Sequence, residues 1–189
     1  MTTDHPLVVG LGGSPGHPSV TNQLLLSCLA RLDAETVSFG GDELGQLPIY
    51  GAAPVETGLQ TSTVAESLVE AVRRADAVVI ATPGYHGGMS GLVKNALDHL
   101  EALRTDARPY LDGRAVGVIV SAGGWQAAGS ALVSVRSAVH ALRGWPTPFG
   151  VTVNSAEQRP DGDGRFDERV EGALDVLAAQ LAQFLAWQR

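Results

Sequence analysis

The sequence predicts an α/β fold, a mostly parallel sheet of five strands covered by helices on both faces. Short β-rich apolar runs alternate with amphipathic helical stretches along the chain. One of these runs, "DAVVIAT" (76–82), is continuously apolar, as a strand covered on both faces is. The 189 residues, 44% hydrophobic and 17% charged, suit a single globular domain spanning 1–189.

Taken in order, "LVVGLG" (7–12) reads as a buried strand, followed by the loop "GSPGHPS". The helix after it puts Leu24, Leu25, Cys28, Leu29 and Leu32 on one face. "ETVSF" (35–39) is a shorter second strand, and residues 40–60, rich in Gly and Pro, read as an irregular site wall. Thr63 with Glu66 three residues on suggests a capping box for a helix running to about Arg74. After the third strand, a helix carries Leu92, Ala96, Leu100 and Leu103 along one side. An Asp112-Gly113 turn leads into the fourth strand, "RAVGVIVSA" (114–122). A helix over 128–143 turns Ala131, Leu132, Val135, Val139 and Leu142 inward, and Gly144 stops it. "FGVTVN" (149–154) is the fifth strand and "DGDGR" an exposed loop. The last helix buries Val170, Leu174, Leu177, Leu181 and Leu185.

A net charge of −7 without any Lys/Arg block makes nucleic acid and anionic membranes poor partners. The start "MTTDHPLVVG" lacks a signal peptide's pattern and no run approaches a membrane span, so the cytoplasm is the expected compartment. The single cysteine, Cys28, excludes an internal disulfide and reads as a small buried hydrophobe. The histidines show no metal-ligand spacing, and no G-x-S-x-G hydrolase elbow is present.

In such a sheet, ligands bind beyond the carboxyl ends of the strands, at the topological switch point. That rule selects loops 12–22, 82–90 and 121–129, each bearing glycine. In the first, "GGSPGHPSVTN", Ser14, Ser19, Thr21 and Asn22 offer neutral donors around Gly16, beside the free N–H groups of a helix start. Together they form a phosphate cradle. A P-loop is excluded because no Gly-Lys-Ser/Thr follows, and Pro15 stands where a dinucleotide fingerprint wants its third glycine. His17, the only ionisable side chain there, reads equally as an exposed loop histidine. In the second loop, Pro83 ends the strand, and Tyr85 and His86 flank a turn whose Gly84, Gly87 and Gly88 admit a planar ligand. In the third, Ser121, Gly123 and Gly124 offer donors, and Trp125 either stacks near the ligand or covers the sheet's edge. A phosphate cradle, an aromatic beside a planar slot and a third set of donors describe a site for FMN.

The blocks "GGSPGHPSVTNQLL" (12–25), "ATPGYHGGMSGLVKNALDHL" (81–100) and "SAGGWQAAGSALVSVRSAVHALRGWPTPF" (121–149) resemble the NAD(P)H-dependent FMN reductase family. The likeness covers nearly the whole chain, and the middle block is its most specific part. It implies a flavodoxin-like three-layer α/β/α sandwich with strand order 2-1-3-4-5, with FMN and NADPH or NADH as cofactors. By that resemblance, Ser14, Ser19 and Thr21 hold the FMN phosphate. Pro83, Gly84, Tyr85, His86 and Gly87 line the ring, and Ser121, Gly123 and Gly124 meet its far edge. Hydride passes directly between stacked rings, so no residue is strictly catalytic. Lys94, Asn95 and Asp98 match a helix at the family's subunit interface, implying a homodimer or homotetramer; Lys94 and Asp98 read equally as an intrahelical pair. The sequence departs from the family at Gly16 and His17, where many members carry arginine, at His86 for asparagine, and at Ser90 for proline. The missing arginine leads to the expectation that FMN is an exchangeable substrate, delivered reduced to a flavin-dependent monooxygenase. The alternative retains FMN and passes electrons to a quinone, azo dye or metal oxyanion. A flavodoxin-type carrier would need a T-x-T-G-x-T loop, which is missing. Nucleotide preference stays open, with Arg104 and Arg108 the arginines available for a 2′-phosphate.

Overall fold

The computed structural model describes residues 5–52 and 62–188. Alternation along the strands divides the apolar residues between two cores. Leu7, Val9 and Leu11 of β1 (Leu7–Gly12) enter one, and Val8 enters the other. The first core lies under α3 (Thr63–Arg74), α4 (Gly91–His99) and α5 (Trp125–Ala141). The second lies under α1 (Val20–Leu29) and α6 (Glu168–Trp187), where the five apolar residues expected of the last helix are all buried. Between the layers run β2 (Glu35–Phe39), β3 (Ala77–Pro83) and β4 (Ala115–Ala122), the last two buried along their whole length.

Among the described residues, all pairings within the sheet are parallel, in the expected order 2-1-3-4-5, but the fifth strand is split. β5 (Trp145–Pro146) pairs with Ala115 and Val116, and β6 (Val151–Asn154) pairs with Ile119 to Ala122. The predicted strand 149–154 therefore starts two residues late, after an interruption. Pro146 and Pro148 have no N–H for a ladder, and the carbonyls of Thr147 and Pro148 are taken by Arg136 of α5. The Phe149 N–H goes instead to Gln180 Oε1 at 2.9 Å.

Three other expectations are corrected. Ser62, not Thr63, caps α3: its hydroxyl accepts the Ala65 N–H at 3.0 Å, which leaves Glu66 one position too late for a capping box. The 40–60 segment contains a one-turn helix, α2 (Gly41–Leu44), and its residues 53–60 lie outside those described. α5 starts at Trp125 rather than 128, because extended Gly124 serves as its N-cap. At its other end Arg143, not Gly144, takes the left-handed conformation (φ 64°). Gly144 N–H then reaches back to Val139 O at 2.9 Å, the closing bond of a Schellman motif. Glycine is required there for room: a Cβ would stand 2.9 Å from Val139 Cγ1 and 3.0 Å from Leu111 Cβ.

Among the described residues, Arg114 is the largest side chain to be fully buried. Its guanidinium donates to the carbonyls of Arg73, Ala75, Tyr110 and Asp112, joining the end of α3 to the turn before β4. Burial, and then the charge of Arg108, push its pKa down to about 10. Cys28 packs in the second core, and burial pushes its thiol up to about 12 against the opposing pull of Arg31. Native protein at about pH 8 is therefore expected to resist a thiol-selective reagent that modifies an ordinary cysteine of pKa about 8.5. Label uptake should appear only in denaturant; rapid labelling of folded protein would contradict the buried position.

Candidate functional site

Strand register brings the three glycine-bearing loops together. Gly12 lies opposite Ala81, and Pro83 opposite Ser121, so β1, β3 and β4 all hand over to loops on one edge of the sheet. Gly13 continues the pairing, donating its N–H to Ala81 O at 2.8 Å. A Cβ on Gly13 would lie 2.4 Å from Val93 Cγ2 and 2.5 Å from Ser90 Oγ, so the first loop can rest on α4 only with glycine here.

The predicted donors of the first loop divide into free and engaged groups. Ser19 caps α1 by accepting the Asn22 N–H at 3.1 Å. With Gln23 N–H bonded to Ser19 O, the N–H groups of Val20 and Thr21 are left over at the start of the helix. Ser14 is half-buried and Gly16 fully open, with nothing within 4 Å of an added Cβ. Asn22 faces inward: its Nδ2 donates to Ser14 O at 3.4 Å, so it braces the cradle from behind rather than donating into it. Thr21 and Ser121, both buried, share a hydroxyl–hydroxyl bond of 2.6 Å that ties the first loop to the end of β4. His17 Nε2 lies 2.8 Å from Asp42 Oδ2 on α2, which gives the loop's one ionisable side chain an acidic partner. α2 presses close, since a Cβ on Gly41 would fall 1.8 Å from Ser14 O.

The second loop is a tight hairpin. Tyr85 and Gly88 exchange backbone bonds of 3.0 and 2.9 Å, and His86 (φ 51°) and Gly87 (φ 82°) both take positive φ between them. These are the two central positions of a type I′ turn. His86 is thus in the turn and does not flank it. Asparagine and histidine are among the side chains that tolerate this conformation, which explains how one replaces the other. Tyr85 is half-exposed, and Gly84 is wedged between Ala122 and α5. Ser90, in place of proline, caps α4 by accepting the Val93 N–H at 3.3 Å and gives its own N–H to the buried Thr82 hydroxyl at 2.9 Å.

In the third loop an added Cβ on Gly123 or Gly124 would meet nothing within 4 Å. Neither glycine is demanded by packing, and both border open space. Because α5 begins at once, with its first internal bond from Ala128 N–H to Gly124 O, the N–H groups of Trp125, Gln126 and Ala127 are unpaired within the helix. Trp125 stands half-exposed beside them.

A groove of about 620 Å3 adjoins these loops, running from Pro15 and Tyr85 along α4 to residues 44–50. Asn95, expected at a subunit interface, is engaged within the chain, holding the backbone of residues 47–50. Lys94 is bonded to both Asp98 oxygens at 2.6 and 2.7 Å, the intrahelical pair. Among the described residues no group of His, Cys, Asp or Glu is arranged to hold a metal ion, and no helix is long and apolar enough to cross a membrane. Sequence reasoning missed Asp42, Thr82 and His99. Only His99 left a signal, a second polar residue one turn after Asn95 on a largely apolar face.

Sheet order, helices on both faces and three loops at the switch point define a flavodoxin-like α/β/α protein. The chain belongs to the NADPH-dependent FMN reductase family, whose model matches residues 6–158, and it is an oxidoreductase using FMN and a reduced nicotinamide nucleotide. An FMN-dependent NADPH-azoreductase of Staphylococcus aureus is 29% identical over 184 residues, covering 95% of this chain and 93% of the relative. Among solved structures, the flavoenzyme FerB of Paracoccus denitrificans, an NAD(P)H:(acceptor) oxidoreductase, superposes with a TM-score of 0.78 at 20% identity, covering 96% and 98% of the two chains. An azoreductase of Bacillus anthracis gives 0.61 at 15% identity, covering 94% and 99%. The residues fit FMN: open glycines border the space, helix N–H groups suit a phosphate, and an exposed ring suits a planar surface.

Two substitutions test the local geometry. Ser90→Ala is expected to lower stability by about 1 kcal/mol through loss of the cap, measured by urea unfolding. His86→Asn should be neutral, whereas His86→Val should destabilise by about 1–2 kcal/mol because a branched side chain resists positive φ.

Proposed function

We propose that this protein is a single-domain enzyme that reduces FMN with NAD(P)H at the convergence of its three loops. Ser14, Gly16, His17, Ser19 and Thr21 hold the phosphate. Pro83, Gly84, Tyr85, His86 and Gly87 line the ring, and Ser121, Gly123 and Gly124 border its far edge. When bound, FMN supplies the two-electron redox chemistry. The leftover N–H groups of Val20 and Thr21, with the dipole of α1, bind the phosphate. Those of Trp125, Gln126 and Ala127 orient the polar edge of the ring and favour negative charge there. The left-handed hairpin fixes the position of Tyr85, and no side chain is needed as acid or base. The observation that carries this reading is the open space at Gly16, Gly123 and Gly124 on one edge of the sheet.

Two fates for the electrons follow. In the first, FMN stays and a small organic oxidant such as a quinone or azo compound is reduced. In the second, FMN exchanges and leaves reduced for a partner monooxygenase. The second is favoured by a cradle without Lys or Arg whose His17 already faces Asp42. A cytoplasmic homodimer or homotetramer belongs to the same proposal.

NAD(P)H oxidation by purified protein should require FMN. Turnover of free flavin supports the exchange reading, turnover of quinone with retained FMN supports the first, and no oxidation in either assay rejects both. Gly123→Val tests the site itself, with Gly124 left in place as the N-cap of α5. An added side chain at Gly123 meets no protein atom near its Cβ, so thermal stability should hold, while the FMN dissociation constant should rise by at least about tenfold. A fall in melting temperature with unchanged flavin affinity would assign this glycine to packing instead.

A further inference from the structure

The first loop and α2 meet at a contact between two ionisable side chains. His17 Nε2, in the proposed phosphate cradle, stands 2.8 Å from Asp42 Oδ2 on the one-turn helix beside it. The fold holds this contact in place. Gly41 lies so close to the first loop that a Cβ there would fall 1.8 Å from Ser14 O. α2 is fixed in turn by the Gly40 N–H, which donates to Glu43 Oε2 at 2.8 Å, and by Gln46 Nε2, which donates to Asp42 O at 3.1 Å. A carboxylate only accepts, so His17 Nε2 must carry the hydrogen of this bond. A neutral ring then has only Nδ1 left, an acceptor, whereas a phosphate oxygen needs a donor. Neither the first loop (12–22) nor α2 contains a Lys or Arg to take the histidine's place.

We infer that Asp42 is a positioning residue that sets flavin affinity by holding the cradle's one ionisable side chain away from the flavin phosphate. The inference rests on the proposed flavin site and names what keeps FMN exchangeable there. For His17 to donate to the phosphate it must leave Asp42, so the new hydrogen bond is offset by the one lost. The Asp42 carboxylate, with Glu43 next to it on α2, also repels the phosphate dianion. Both effects act on the phosphate alone. Riboflavin has the same ring and no phosphate, so it should sense neither. The two side chains are 65% and 68% exposed, and water therefore limits the effect to a severalfold change in affinity.

The test is a fluorescence titration of the purified protein with FMN and, separately, with riboflavin. In Asp42→Asn the FMN dissociation constant is expected to fall about fivefold, while that for riboflavin stays within about twofold. Asp42→Ala, which removes the acceptor as well as the charge, should tighten FMN at least as much. In a His17→Gln background, Asp42→Asn should tighten FMN by less than about twofold, because the ring it would release is gone. Both side chains are exposed, so melting temperatures should match that of the wild type. An unchanged FMN dissociation constant in Asp42→Asn and Asp42→Ala overturns the inference. Equal tightening of riboflavin overturns it too, because the effect would then lie on the ring. A gain of the same size without His17 also overturns it, since Asp42 would then act by its own charge and not through the histidine. Each of these results leaves the flavin site standing if the wild type binds FMN. Wild-type protein that binds neither flavin removes the flavin reading and this inference together.

Discussion

Parallel pairing imposes one constraint from which the site follows. A parallel strand must end on the same edge as its neighbours, so the pairing of Gly12 with Ala81, and of Pro83 with Ser121, delivers three chain reversals to a single place. The Thr21–Ser121 hydroxyl bond then joins the first and third of them beneath the surface. Two helices, α1 and α5, follow β1 and β4 after seven and two intervening residues and begin at that edge, so each presents unpaired N–H groups there. Architecture alone thus supplies an anion-favouring rim on a protein whose net charge is −7.

The three loops contribute by different physical means. The first works through helix polarity and hydroxyl groups. Its single histidine is shared with an acid, so its attraction for phosphate is weaker than a guanidinium fork would give. The second works through conformation: two consecutive residues with positive φ hold a tyrosine outward on a short hairpin. The third works through absence of bulk, with glycines that border open space. This division explains why glycine recurs with three separate meanings. Gly13 permits contact with α4, Gly87 permits a turn, and Gly123 leaves a volume open.

Most of the fold could be read in the chain because its signals are local. Apolar runs of strand length and stripes such as Val170–Leu174–Leu177–Leu181 report burial directly. What stayed illegible depends on partners distant in sequence. Nothing near Asn22 says that its amide turns inward to Ser14, nor does His17 announce Asp42, 25 residues away. The split of the fifth strand is a compromise among Pro146, Pro148 and an arginine on another element. The helix caps at Ser62 and Gly124 lie one to three residues from where composition suggests, because the capping residue is decided by backbone conformation. Asn95 was recognisable as notable, but its work on residues 47–50 required the tertiary placement of a loop without periodicity.

The interrupted outer strand has a consequence for behaviour in bulk solution. An open sheet margin invites an extraneous chain to add itself and start fibrillar growth. Here that margin is broken after two residues, carries prolines on either side of Thr147, and resumes for only four. A would-be template of this kind offers no uninterrupted row of donors to copy. The same irregularity that disrupts the ladder therefore guards a crowded preparation against amyloid-type assembly, even with Trp145 lying bare on that side.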